Sequence, residues 1–222
     1  RKCALFRSRV DYLGHVVRPG KLSMTAKKVT AVNDWPLPRT KTDVRSFVAF
    51  CSVYRRFIPA FARFAGPLNE ALRKDAPDPI KCTPEVQQAV AELKSKLTCA
   101  PVLTLPRVDD EMVLETDASD SAIGAVLLVR NSDGTEQPAA YFSRSLTGPE
   151  RNYSATEREA LAVVWAVKQA RPYVERKAFV IRTDHVALRW MFTTATENPR
   201  VCLWRLALAE FQFVIEHRSG RS

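Results

Sequence analysis

From Glu111 onward the chain changes its hydrophobic period in a fixed order, and that order limits the folds open to it. Residues 111–118, 122–130 and 137–144 read as three successive strands, the first two carrying Val, Leu or Ile and the third Tyr and Phe, bounded by turn-forming residues. Residues 153–171 then carry apolar side chains at three- and four-residue steps, the period of one long helix. A strand over 177–183 follows, then helical segments near 186–193 and 199–210, and a strand over 211–217. If the first and fourth strands lie side by side in one sheet, the helical crossover makes them parallel. Their carboxyl ends then share one edge, the place where such sheets collect ligands.

Acidic residues fall at that edge. Asp117 sits near the end of the first strand, in "LETDASDSAIGAVL", and Asp184 closes the fourth, in "FVIRTDH". The long helix, "YSATEREALAVVWAVKQARPYV", adds Glu157 and Glu159. Glu159 shares its helical face with Ala155, Ala162, Val163 and Ala166, small residues that suit close approach to a sheet. Glu157 lies nearer the start of the helix and shares its face with Leu161. Carboxylates are depleted in strands, and one beside a core is costly unless a cation or donor meets it. Each acid alone has a structural reading: Asp117 as a turn former, Glu159 as a solvated helix residue, Asp184 as the cap of "TDHVAL". Three acids at one sheet edge need a divalent cation, and hard oxygen ligands suit Mg²⁺.

The first third has a different texture. "VDYLGHVVRPGKLSM" reads as a strand, a turn at Pro19-Gly20 and a second strand. A short helix follows in "TAKKVTAVNDW", and a longer one in "KTDVRSFVAFCSVYRRFI", with Thr42 or Asp43 as its N-cap. "FARFAGPLNEALRKD" is another short helical piece, "APDPIKCTPEV" a proline-rich linker, and "TPEVQQAVAELKSKLTCA" a helix capped by Thr83. Residues 1–80 hold 16 Lys and Arg against 6 Asp and Glu, whereas residues 81–222 hold 18 of each. The whole net charge of +10 therefore lies in the first third, as a polyanion-binding footprint requires. Arg45, Arg55, Arg56 and Arg63 fall off the apolar stripes and could track phosphates. His15, His185 and His217 lack metal-ligand spacing, and Trp165, Trp190 and Trp204 fall in helical apolar patterns. Five scattered cysteines without a C-x-x-C pair point to a reducing, intracellular setting. No apolar run approaches the length that spans a membrane.

Taken together, "LETDASDSAIGAVL", "YSATEREALAVVWAVKQARPYV" and "VIRTDHVALRWM" resemble the RNase H domain of reverse transcriptases from Ty3/gypsy-type retrotransposons. Upstream, "YLGHVV" is similar to the hairpin that ends the palm in those enzymes, and "DVRSFVAFCSVYRRFIPAFARFAGPLNEAL" is similar to their thumb. The resemblance implies an α+β chain: a helical, thumb-like subdomain followed by an RNase H-like mixed five-stranded sheet with helices, its last helix missing. It divides the chain into a palm end over 1–22, a thumb over 23–76, a linker or connection over 77–108, and the RNase H-like domain over 109–222. It matches Asp117, Glu159 and Asp184 to three metal-binding catalytic acids, Glu159 because that family places its acid just before the "LA" pair. It also implies two Mg²⁺ ions, with Mn²⁺ as a substitute, and hydrolysis of the RNA strand of an RNA–DNA hybrid. The implied partners are that hybrid, the fingers and palm of the enzyme, and the rest of a polyprotein. No Y-x-D-D turn is present, so polymerisation is not expected of this chain. A non-catalytic nucleic-acid-binding or scaffolding remnant is the alternative reading.

Overall fold

A computed structural model describes residues 7–175, 177–183 and 198–217. The chain divides into two compact units, Arg1–Arg107 and Val108–Ser222.

In the first unit three short strands, β1 (Val10–Tyr12), β2 (His15–Arg18) and β3 (Lys21–Met24), pair antiparallel in sequence order. The turn at Pro19-Gly20 was expected from the residue pattern; the turn between β1 and β2 was not, although it falls within the "YLGHVV" hairpin of the resemblance. That turn is Leu13-Gly14, with φ of 47° and 86°. Positive φ at both central residues is the turn that matches strand twist. Gly14 is required for space as well, since a Cβ there would lie 2.2 Å from the Tyr54 hydroxyl.

Helices α1 (Ala26–Asn33), α2 (Lys41–Val53), α3 (Phe61–Ala71) and α4 (Pro84–Thr98) complete the unit. The cap of α2 differs from the expectation. Thr40, not Thr42 or Asp43, is the N-cap, and Asp43 stands at the third position of a reciprocal capping box. The Asp43 carboxylate accepts from the backbone N–H groups of Arg39 and Thr40, at 3.0 and 2.9 Å. The apolar side of this segment, Val44, Phe47, Cys51, Tyr54 and Ile58, is buried, and Val48 is half-buried. Helix α4 and the strand after it are built into this unit. Helix α4 packs on α1 and α3, burying Val86, Val90, Leu93 and Leu97. Strand β4 (Leu103–Thr104) then pairs with β3. Lys94 of α4 donates to the carbonyls of Asn33 and Trp35, placing a cation at the negative end of α1.

The second unit contains β5 (Glu111–Ala118), β6 (Ala122–Arg130), β7 (Glu136–Ser145), α5 (Gly148–Arg151), α6 (Ala155–Val174), β8 (Ala178–Thr183), α7 (Pro199–Leu208) and β9 (Gln212–His217). The expected helix near 186–193 lies outside the described residues. The five strands form one mixed sheet in the order β7-β6-β5-β8-β9. Strands β5, β6 and β7 pair antiparallel, whereas β5–β8 and β8–β9 are parallel.

Ser119 closes the β5–β6 turn: its hydroxyl accepts from the Ala122 N–H and donates to the Ala122 carbonyl. Pro138 is tolerated in β7 because β7 is an edge strand and the register shifts between Leu127 and Leu128, next to Pro138. Helix α6 starts at Ser154 with a capping box completed by Glu157. Its buried face is Ala160, Val163, Ala166, Val167 and Ala170, packed against Met112, Leu114, Leu127, Val129, Phe179 and Ile181 of the sheet. Val201 and Leu208 of α7 join the same core, with Trp165 and Trp204 packed at its margin.

Candidate active site

Asp117 is exposed one residue before the end of β5. Strand alternation sets its orientation. Met112 and Leu114 join the core with α6, so Glu111, Val113, Glu115 and Asp117 project from the opposite face. The residue paired with Asp117 on β6 is Gly124, which places no side chain beside the carboxylate on that side.

Helix α6 packs on β5 and β6. Glu159 lies in its first turn and a half, half-buried, and the Oε2 atom of its carboxylate is shut off from solvent. Its helical neighbours Ala162 and Val163 are buried as the face argument expected. Glu157, two residues earlier, does other work. Its Oε2 accepts from the Ser154 N–H and hydroxyl at 3.0 and 3.1 Å, and its Oε1 accepts from Arg200 at 2.9 Å. The Ser154 N–H holds its carboxyl below the ordinary carboxylate range, against the opposing effect of burial.

Asp184 follows the last residue of β8 in sequence and lies outside the described residues. Among the described residues no three His, Cys, Asp or Glu groups gather into a metal-holding cluster. What the fold supplies is the frame: β5 and β8 are parallel neighbours, paired through Val113–Val180, Leu114–Ile181 and Glu115–Arg182. Asp117 stands on that frame, on the sheet face away from α6, and Glu159 is carried by α6; both offer hard oxygens of the type that holds Mg²⁺.

Sequence reasoning missed the charge lattice behind Asp117. Side chains from all five strands meet on the sheet face away from α6. Arg182 contacts Glu115 and Glu136 at 2.7 Å each and Glu216 at 3.7 Å. Arg130 contacts Glu111 at 2.9 Å, Glu136 at 3.0 Å and Glu216 at 3.5 Å. Hydrogen bonds from Arg182 bring the Glu136 carboxyl down to about 2. Arg182 is itself held more firmly protonated, by Glu136 first. Period-two spacing of charges in "LETD" and "IRTD" was the available signal. A separate ion pair, Arg158 to Asp120 at 2.6 Å, ties the start of α6 to the β5–β6 turn.

The four arginines lie in the first unit. Arg45 on α2 and Arg63 on α3 are exposed. Arg55 and Arg56 occupy a 3₁₀ turn, Arg55–Phe57, where Arg55 lies 5.5 Å from the Phe61 ring centre and Arg56 is half-buried. Burial lowers the pKa of Arg55.

Residues 107–211 match the RNase H-like domain found in reverse transcriptase. The second unit belongs to that family. The RNase H-like domain comes with relatives that match 99% of the chain. They include the retrovirus-related Pol polyproteins of transposons 412 and 297 of Drosophila melanogaster, both 36% identical. The Tf2-3 polyprotein of Schizosaccharomyces pombe is 33% identical. The chain spans 18%, 20% and 17% of the lengths of these three. In fold, the chain is similar to the foamy viral protease-reverse transcriptase solved with an RNA/DNA hybrid, at a TM-score of 0.81 and 20% identity. That match covers 100% of this chain and 30% of the viral one. The same viral enzyme with double-stranded DNA gives 0.82 at 19% identity, covering 99% and 46%. The α+β class and the five-stranded mixed sheet agree with the sequence reading.

Proposed function

We propose that the RNase H-like domain hydrolyses the RNA strand of RNA–DNA hybrids, as part of a retroelement reverse transcriptase polyprotein. The observation that carries this reading is the parallel β5–β8 pair, which sets the strand bearing Asp117 beside the strand that runs into Asp184, with α6 and Glu159 packed on it. Asp117, Glu159 and Asp184 would hold two divalent cations, Mg²⁺ or Mn²⁺. When bound, such cations supply an activated water and stabilise the leaving 3′-oxygen.

The remaining steps belong to the chain's own residues. Gly124 leaves room beside Asp117 for a substrate phosphate to approach. The first unit grips the hybrid backbone through Arg45, Arg55, Arg56 and Arg63, while 2′-hydroxyl contacts in the minor groove select RNA. In this proposal residues 1–22 end a palm, residues 23–76 form a thumb, and 77–108 connect them to the nuclease. The setting is an intracellular retroelement particle. No described helix is long and apolar enough to cross a membrane.

The test is cleavage of a labelled RNA–DNA hybrid by the purified chain in Mg²⁺ or Mn²⁺. Asp117→Asn should lower cleavage about 100-fold or more, because a metal-holding group contributes several kcal/mol at the transition state. Hybrid binding should persist. A chain that binds the hybrid and never cuts it, with either cation, is a scaffold rather than a nuclease. A chain that cuts duplex DNA as readily as the hybrid refutes the substrate assignment.

A further inference from the structure

Two tripeptides of the same form stand on neighbouring parallel strands: Glu115-Thr116-Asp117 on β5, and Arg182-Thr183 at the end of β8 followed in sequence by Asp184. The structure sets their first members directly opposite one another. Glu115 and Arg182 are register partners, and they form the last β5–β8 rung among the described residues. They also form an ion pair, Arg182 Nη1 to Glu115 Oε1 at 2.7 Å. The pair is well shielded, with the Arg182 side chain 13% exposed and that of Glu115 25%. Arg182 is held from a second side, since two of its nitrogens donate to the two oxygens of Glu136 at 2.7 and 2.9 Å. Thr116 and Thr183, the middle members, are both buried, at 8% and 4% exposure.

We propose that Glu115 and Arg182 are a positioning pair: they lock the register of β5 against β8 two residues before Asp117, and so fix where the Asp117 carboxylate stands on the sheet. The inference rests on the nuclease reading above. Residues two apart on a strand share a face, and at about 3.3 Å per residue Asp117 begins about 6.6 Å beyond Glu115. A slip or splay at this rung is therefore passed to the acid. The guanidinium fork suits the role, because it fixes direction as well as charge and an ammonium does not. The lattice has a built-in control. Arg130 shares Glu136 and Glu216 with Arg182 but pairs with Glu111, six residues from Asp117 at the far end of β5.

The experiment uses the full chain and Mn²⁺ as the probe, titrated by calorimetry, with folding followed by circular dichroism and hybrid cleavage measured in parallel. Arg182→Lys keeps the charge and loses the fork. It should weaken Mn²⁺ binding about 10-fold, the lower end of what supporting partners of metal ligands contribute. Glu115→Gln should do the same if Arg182→Lys proves unstable. Arg130→Lys should lower thermal stability and leave Mn²⁺ affinity within about twofold, as expected of a distant site. Folded Arg182→Lys and Glu115→Gln chains that bind Mn²⁺ as the wild type does would overturn the positioning role alone. Equal loss of affinity in Arg130→Lys would overturn it too, by showing that the lattice acts only through general stability. A wild-type chain that neither binds Mn²⁺ nor cuts the hybrid would instead remove the nuclease reading, and this inference with it.

Discussion

Two glutamates, one helical half-turn apart, show how much a residue's role depends on what already holds it. Glu157 is occupied: Ser154 and Arg200 take both of its oxygens, and it completes the cap of α6. Glu159 sits on the face that meets the sheet, with one oxygen buried. The two should therefore fail differently. Glu157→Ala should lower stability by about 1 kcal/mol, the scale of a lost cap, and change hybrid cleavage less than about threefold. Glu159→Gln should lower cleavage about 100-fold with little change in melting temperature. Melting curves beside cleavage rates decide the matter, and the reverse pattern would move the functional acid to 157.

At the scale of elements, the fit of α6 against the sheet depends on small side chains. Ala160, Ala166 and Ala170 have no exposed surface and lie in one core with Met112, Leu114 and Ile181. Ala166→Leu would insert bulk where the helix and sheet already touch, and should cost about 1–3 kcal/mol in chemical denaturation. A neutral result would mean that α6 stands off the sheet. This part of the fold was legible in advance because each run has one dominant period and a marked end. Strands β5 and β6 fall where the alternation put them, and β7, α6, β8 and β9 within a few residues of it.

The elements that were missed depend on distant partners. Strand β1 and its Leu13-Gly14 turn lack the Asn-Gly or Asp-Gly signal of a tight hairpin, and Gly14 is needed because Tyr54, forty residues on, fills the space. The α2 cap was misplaced by two residues because "TKTD" offers two threonines, and only the reciprocal bond from Asp43 selects Thr40. In the candidate site, the succession of elements and the helical face that carries Glu159 could be read from spacing, whereas the pairing of β5 with β8 was only a condition there. The Glu115–Arg182 pair could not be read, since 67 residues separate its members and only the parallel register joins them.

For the molecule as a whole, the two units carry opposite acid-sensitive groups, and their responses to pH should separate. In the first unit His15 is stacked on Phe57 at 5.8 Å and lies 5.2 Å from Tyr54. Burial lowers its pKa, and the nearby charge of Arg56 lowers it further. The unfolded chain thus takes up this proton first, so the stability owed to neutral His15 is present above the ordinary histidine value of about 6.5 and is lost as pH falls below it.

In the second unit Arg182 holds Glu136, and Arg144 holds Glu150, each carboxyl down to about 2. Those contributions are present above the ordinary glutamate value and disappear only as pH falls from about 4.5 toward 2. Each is on the order of 1 kcal/mol once solvent screening of partly exposed pairs is allowed for. Acidification should therefore loosen the first unit before the second. Hydrogen exchange read at the amides of β2 and β5 between pH 7 and 3 measures both at once. Protection in β2 should fall first, near pH 6, while β5 holds until below about pH 4.5. Simultaneous loss would show that neither His15 nor the arginine-held glutamates govern the acid limit of their own unit.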